Sequence, residues 1–376
     1  MIALAVALAL APAAHRPAPP KISGPRFSSS PVVVYHLSSR EPGARFRCAF
    51  DGRKLHPCAR VVRTRLRPGR HSLRAQAVDR RGRRSLVTRI AITIRSPAPS
   101  EVATIRVGSQ PINAAAAPDA IWVANYGDGT LSRIDPQTNR STATVQLGAV
   151  PYGVAFGAGA VWVTTDAAGG TLLRIDPGTN TTVARIPIGG SPTGLALGGG
   201  AVWVANRDGS VERVDPIANA VTARTPIGRP AIALAPGFDS VWVTTEDGAV
   251  FRLDSVTAAL VGRAIEVGGD VDDVTVGTDA VWAASLTGRS VARIDPSTQR
   301  VVARLSPGGQ VSGVLYAGDA LWVSLYDSDV VRKVDPRSGH VVKTLRVGYE
   351  PRGFTFGADS VWVANQASST VSRFAP

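Results

Sequence analysis

The chain has 376 residues, 44% apolar and 19% charged, with 38 Gly, 27 Pro and a net charge of +14. This balance excludes a disordered or mainly helical protein and suits many short strands joined by tight turns. The charge is uneven: residues 20–100 carry 19 Lys and Arg against 3 acids, about +16, whereas residues 101–376 carry 22 against 25, about −3.

Residues 1–14, MIALAVALALAPAA, are an apolar run ending in small residues, the pattern of a signal peptide, although no Lys or Arg precedes it. The run is too short to span a bilayer and no later stretch is long and apolar enough, so no transmembrane segment is expected. Only two cysteines occur, Cys48 and Cys58. An even pair close together in an exported chain suggests one disulfide and an extracytoplasmic location. Proline-rich residues 15–31 read as an extended tether.

From 32 to 96 the segments VVVYHL, RFRCAF, HSLRAQAVD and TRIAITI read as strands, separated by turn signals such as Asp51-Gly52 and Arg81-Gly82. The basic charge lies here and fits an anionic lipid surface, an anionic envelope polymer or nucleic acid. An arginine excess set by a GC-rich genome is the alternative, since only Lys21 and Lys54 of the 19 are lysine. Export and the lack of interleaved aromatics disfavour nucleic acid. Phe46, Cys48, Asp51, Gly52, Cys58, Gly69, His71, Ala77, Asp79 and Gly82 together resemble the pattern of a bacterial immunoglobulin-like module. That resemblance implies a small sandwich with the disulfide pinning a hairpin.

After a linker at 96–100, seven tryptophans at 122, 162, 203, 242, 282, 322 and 362 mark a repeat of about 40 residues. Each repeat holds four short apolar segments, as in GVAFG, AVWVTT, TLLRIDP and TTVARIPIG, and four strands per 40 residues predict a propeller blade. The recurrent Arg-x-Asp-Pro unit predicts a type I turn in which the aspartate accepts from following amides. The last repeat ends after its third strand, and residues 101–108, EVATIRVG, match the missing fourth. The prediction is therefore an all-β protein, a seven-bladed β-propeller at 101–376 closed by its own N-terminal strand.

This repeat grammar resembles the NHL and YVTN-type propellers, and within them the virginiamycin B lyase-like group. The lyase resemblance implies metal-assisted elimination by His and Glu at the central opening. The propeller segment departs from it, because its single histidine, His340, falls in a turn after a third strand. No phosphate loop, zinc-spaced set or nucleophilic cysteine appears, so no catalytic residue, cofactor or metal ligand is assigned. Residues present in every repeat read as architecture: the tryptophans as packing between blades, the arginines at 133, 174, 213, 252, 293 and 373 with Lys333 as a solvated strand face, and Asn125, Asn206 and Asn365 as turn caps.

Function is then sought in the loops that vary and meet on one rim. These hold Tyr126, Asp128, Tyr152, Asp166, Arg207, Asp208, Glu246, Asp247, Asp270, Asp272, Asp273, Tyr326, Asp327, Glu350, Arg352 and Gln366. Such an acidic rim suits a basic peptide, a sugar-like ligand or a divalent cation near Asp270, Asp272 and Asp273; plain solvation of polar loops is the alternative. The expected protein is a monomeric, exported, non-catalytic binding or scaffold protein that takes a protein, peptide or glycan at the rim. The alternative is a metal-assisted lyase or hydrolase.

Overall fold

The computed structural model describes residues 16–28, 32–66, 69–94 and 103–375; the export segment expected at 1–14 and the linker expected at 96–100 lie outside them. The chain divides into two compact units, one N-terminal and one C-terminal to the boundary between residues 100 and 101. Among the described residues no helix is long and apolar enough to cross a membrane.

The first unit contains a three-stranded sheet (Lys21–Ser23, Val32–Ser38, Val61–Arg65) and a five-stranded sheet (Phe27–Ser28, Thr88–Ile94, Gly69–Val78, Arg45–Phe50, His56–Cys58). Alternation drives their packing: Val33, Tyr35 and Leu37 from one sheet bury against Phe46, Leu73, Ala75, Ala77 and Ile92 from the other. Residues 21–28 correct the expected tether. They supply an edge strand to each sheet, positions where a proline-rich flank costs few ladder bonds. Cys48 and Cys58 form a disulfide across the Arg45–Phe50 and His56–Cys58 hairpin, with Cα atoms 5.9 Å apart. The pair is consistent with an oxidising, extracytoplasmic setting.

The alternation that buries Phe46 and Leu73 turns Arg45, Arg47, Arg70, Arg74 and Arg89 to the opposite face of the five-stranded sheet. Two of the unit's acids are already committed. Asp51 accepts from the Ser72 amide and pairs with His71, and Asp79 pairs with Arg83 at 2.7 Å.

The second unit contains seven four-stranded antiparallel sheets, numbered here in chain order. Their first strands are Pro111–Ala116, Pro151–Gly157, Pro192–Gly198, Ala231–Gly237, Val271–Val276, Val311–Ala317 and Pro351–Gly357. Each first strand neighbours the next, and the first neighbours the seventh, so the sheets form a closed cycle of the β-propeller kind. Ala103–Arg106 supplies the outer strand of sheet seven, beside Thr370–Phe374. Ile105 is buried there with Trp362, Val371 and Ile121 of sheet one.

All seven tryptophans are buried, at most 1% exposed, and pack between neighbouring sheets. In five of them the indole Nε1 donates to the carbonyl that ends the first strand, as from Trp242 to Gly237 at 3.2 Å. Trp122 and Trp282 have no such acceptor. In the same two sheets the Arg133 and Arg293 side chains turn to Asp119 and Asp279 in the preceding hairpin.

Six of the seven recurrent cations, all but Arg213, are more than a solvated strand face. Arg133, Arg174, Arg252, Arg293 and Arg373, with Lys333, lie over the tryptophan of their own sheet, within 4.7–5.8 Å of the ring centre. Cross-strand pairing puts each cation directly opposite its tryptophan, so stem burial and cation–π attraction hold it down. Arg373 also reaches Asn139 Oδ1 at 2.8 Å and so joins sheet seven to sheet one.

The expected Asp-Pro turns form. Asp135 Oδ1 accepts from the Gln137 amide at 2.7 Å and Asn139 closes the turn at φ 56°, a left-handed geometry that asparagine tolerates. The same bonds hold the carboxyls of Asp135, Asp176, Asp215, Asp254 and Asp335 below the ordinary range, and that of Asp295 at about 2.

Candidate functional site

The first strands begin at the end of the cycle where the second-to-third strand loops also lie. The second residue of each first strand faces a common cavity of about 450 Å³: Ile112, Tyr152, Thr193, Ile232, Asp272, Ser312 and Arg352. Two residues further on, the same side of each strand presents Ala114, Val154, Leu195, Leu234, Val274, Val314 and Phe354. The cavity is therefore a funnel with a mixed, charged mouth and a largely apolar wall below it, broken by Asn113, Asp273 and Thr275. Glycine at the intervening position keeps it narrow: a Cβ at Gly153, Gly194 or Gly313 would collide with the neighbouring first strand.

Of the expected rim residues, Tyr126, Tyr152, Arg207, Asp272, Asp273, Arg352 and Gln366 line this one cavity. Tyr126 and Tyr152 meet edge to face at 5.6 Å. Arg207 lies 3.9 Å from Glu246, and Arg352 Nη1 lies 3.6 Å from Asp272, both too long for hydrogen bonds. Arg352 donates Nε to Gln366 Oε1 at 2.8 Å and stacks over Tyr326, 4.5 Å from its ring centre. Glu350 interacts with the same Tyr326, and its charge helps to raise that phenol, whose main cause of elevation is burial.

Asp128, Asp166, Asp208, Asp247 and Asp327 do a different job. They tie loops together: Asp128 accepts from the Ser109 amide at 2.8 Å, Asp166 from Val150 at 3.0 Å and Asp327 from Gln310 at 3.2 Å. Asp208 pairs with Arg224 at 2.5 Å and Asp247 with Arg229 at 2.6 Å. Their recurrence just beyond successive second strands was a repeat signal, and it marks scaffolding.

Asp272 and Asp273 belong to a first strand and not to a loop. Burial pushes Asp272 up to about 6, with the Arg352 charge partly opposing it. Asp273 is half-buried, yet protein surrounds it deep in the funnel, and this desolvation pushes its carboxyl up to about 7. Its two oxygens accept from the Val274 amide at 2.8 Å and the Val314 amide at 2.9 Å, which ties sheet five to sheet six. Asp270, Asp272 and Asp273 thus diverge, and among the described residues no three His, Cys, Asp or Glu side chains gather as a metal site. The cation expected there does not fit, because Asp273 has its oxygens committed to the backbone and Asp272 faces an arginine.

A second cavity, of about 660 Å³, opens between sheets five and six at the far end. Three of its charged side chains are already committed: Arg293 pairs with Asp279 at 2.9 Å, and Asp335 accepts from the Arg337 and Ser338 amides.

The chain matches no protein-family model and no curated protein sequence. It is similar in fold to the hydrazine synthase of Kuenenia stuttgartiensis, with a TM-score of 0.64 and 15% identity over 72% of this chain and 97% of that one. At that identity the likeness speaks for fold alone.

Sequence reasoning named Tyr152, Asp272 and Arg352 of the mouth ring and missed Ile112, Thr193, Ile232 and Ser312. The ring's signal was the column from 112 to 352, which holds six residue types in seven repeats beside columns in which proline and glycine each recur four times. It also missed Glu212, the single acid at a position held elsewhere by Ser132, Leu173, Phe251, Ala292, Arg332 and Ser372. Glu212 is buried with Arg224 at 3.4 Å, and burial, with Arg224 opposing, pushes it up to about 7.

Proposed function

We propose that this is an exported, non-catalytic binding protein whose funnel takes an amino-acid or short-peptide ligand. The seven sheets are read as blades of an NHL/YVTN-type propeller, and the first unit as an immunoglobulin-like module whose basic sheet face tethers the protein to an anionic envelope polymer. The observation that carries the reading is the funnel itself: about 450 Å³, loosely paired charges at its mouth and a largely apolar set of side chains below, Leu195, Leu234, Val314 and Phe354 among them. Peptide-class ligands offer both charge and apolar bulk. A glycan would want a flat aromatic platform, whereas Tyr126 and Tyr152 stand edge to face.

The lyase alternative finds little among these residues. The hydroxyls at the mouth, Thr193 and Ser312, donate to the backbone carbonyls of Ala231 at 2.8 Å and Pro351 at 2.5 Å, so neither is paired with a base. His340 is exposed in a turn after a third strand, at the opposite end of the sheets.

Calorimetric titration of the full chain with apolar amino acids, dipeptides and tripeptides tests the reading, which any one of these classes satisfies. Heat is expected from wild type and none from Ile112→Trp, whose indole fills the mouth; heat from neutral oligosaccharides alone would reverse it.

A further inference from the structure

Three side chains of the mouth ring keep polar capacity for a ligand. Ile112 and Ile232 are apolar, and the Thr193 and Ser312 hydroxyls are spent on the backbone. That leaves Tyr152, Asp272 and Arg352. Asp272 has Arg352 as its polar partner, at 3.6 Å, and among the described residues it accepts no hydrogen bond. Among the described residues no carboxylate or carbonyl accepts from the terminal nitrogens of Arg352 at hydrogen-bond distance, while its Nε is held by Gln366 and its guanidinium by the ring and phenol of Tyr326. The pair is thus prealigned and unsaturated on both sides, a quarter exposed at Asp272 and slightly more at Arg352.

We propose that Asp272 and Arg352 form a clasp for the head group of a free α-amino acid with an apolar side chain. Arg352 takes the carboxylate, Asp272 takes the ammonium, and the side chain descends toward Leu195, Leu234, Val274, Val314 and Phe354. One long ion contact is replaced by two charge-assisted hydrogen bonds, which are shorter and stronger. The spacing selects a single amino acid: its ammonium and carboxylate sit on one carbon and match a 3.6 Å gap, whereas each added residue separates the termini by about 3.5 Å more. A fixed, planar guanidinium is also the group best shaped for a carboxylate.

The clasp rests on the reading of the funnel as a ligand site, and the experiment separates the two. The full chain is titrated by calorimetry at pH 8 with L-leucine, L-leucinamide, N-acetyl-L-leucine and trileucine. Leucine is expected to bind, and capping either charge is expected to weaken binding at least tenfold. Asp272→Asn is expected to weaken leucine and leucinamide while leaving N-acetyl-leucine unchanged; Arg352→Gln is expected to do the converse, and Arg352→Lys to recover part of the loss. Equal binding of leucine and its two capped forms, or binding of trileucine without leucine, overturns the clasp and leaves the funnel as a site. No heat from any of the four, in protein whose melting curve is that of the wild type, overturns both.

Discussion

Glu212 and Asn206 meet inside sheet three, and each has one side-chain oxygen, Oε2 and Oδ1, without a hydrogen-bond partner. Asn206 donates Nδ2 to Ser210 at 3.2 Å, and its side-chain hydrogen bond to Glu212 favours the carboxylate, but burial outweighs it and favours the neutral acid.

Stability should therefore fall with rising pH on account of Glu212. Its folded value of about 7 lies above the ordinary 4.5. Below 4.5 both states hold the proton; between 4.5 and 7 the unfolded chain ionises first, so stability is lost, and above 7 the loss is complete. Glu212→Gln, a neutral side chain of the same shape that keeps an oxygen toward Arg224, should match wild type at pH 4. At pH 8 it should exceed wild type by on the order of 2 kcal/mol. Urea melts at the two pH values decide the matter, and an equal gain at both would show that ionisation is irrelevant.

Asp273 holds two strands by two backbone amides. Asp273→Ala leaves both donors unmet and should cost about 2–4 kcal/mol at pH 5, whereas Asp270→Ala, nearby in sequence but outside that contact, should stay within about 0.5 kcal/mol. Comparable losses at both positions would mean that the tie between sheets five and six contributes nothing.

The tryptophans divide into two classes that a single substitution should separate. Trp242→Phe loses packing and also strands the Gly237 carbonyl, whereas Trp282→Phe loses packing alone. The first should be more destabilising by about 1 kcal/mol, read from thermal or urea melts of the two variants.

The basic sheet face should act through long-range charge. Replacing exposed Arg45, Arg70 and Arg89 together by Gln should weaken retention on an anionic polymer column and flatten its dependence on salt, with the melting temperature little changed. Retention equal to that of wild type at every salt concentration would remove the tether.

Much of the architecture could be read from spacing. Trp122 to Trp362, the Asp-Pro turns and the match of 101–108 to a fourth strand all follow from residues whose role is local: burial of a large ring, an Asx turn, an edge that needs a partner. The site was less legible because its residues come together only when seven strands converge. Asp272 looks like one acid of a loop cluster until the first strand is seen to begin at Val271, and Arg352, eighty residues away, shows no tie to it in the sequence. The rim acids misled for the opposite reason. Asp128 and Asp327 are polar and near a loop, as ligand-binding groups are, but their recurrence already gave them to the backbone.

The pairing of Ala103–Arg106 with the strand at Thr370–Phe374 also bears on how the molecule is made. A nascent chain can complete sheets one to six as they emerge, since each uses contiguous strands. The seventh must wait for residues some 265 positions downstream of its outer strand. Until then Ile105 has no Trp362 or Val371 to cover it, and both flanks of the growing arc stay open. Closure by so distant a pairing is intrinsically slow. The interval before the last sheet forms is thus the time at which this protein most needs shielding from other copies of itself.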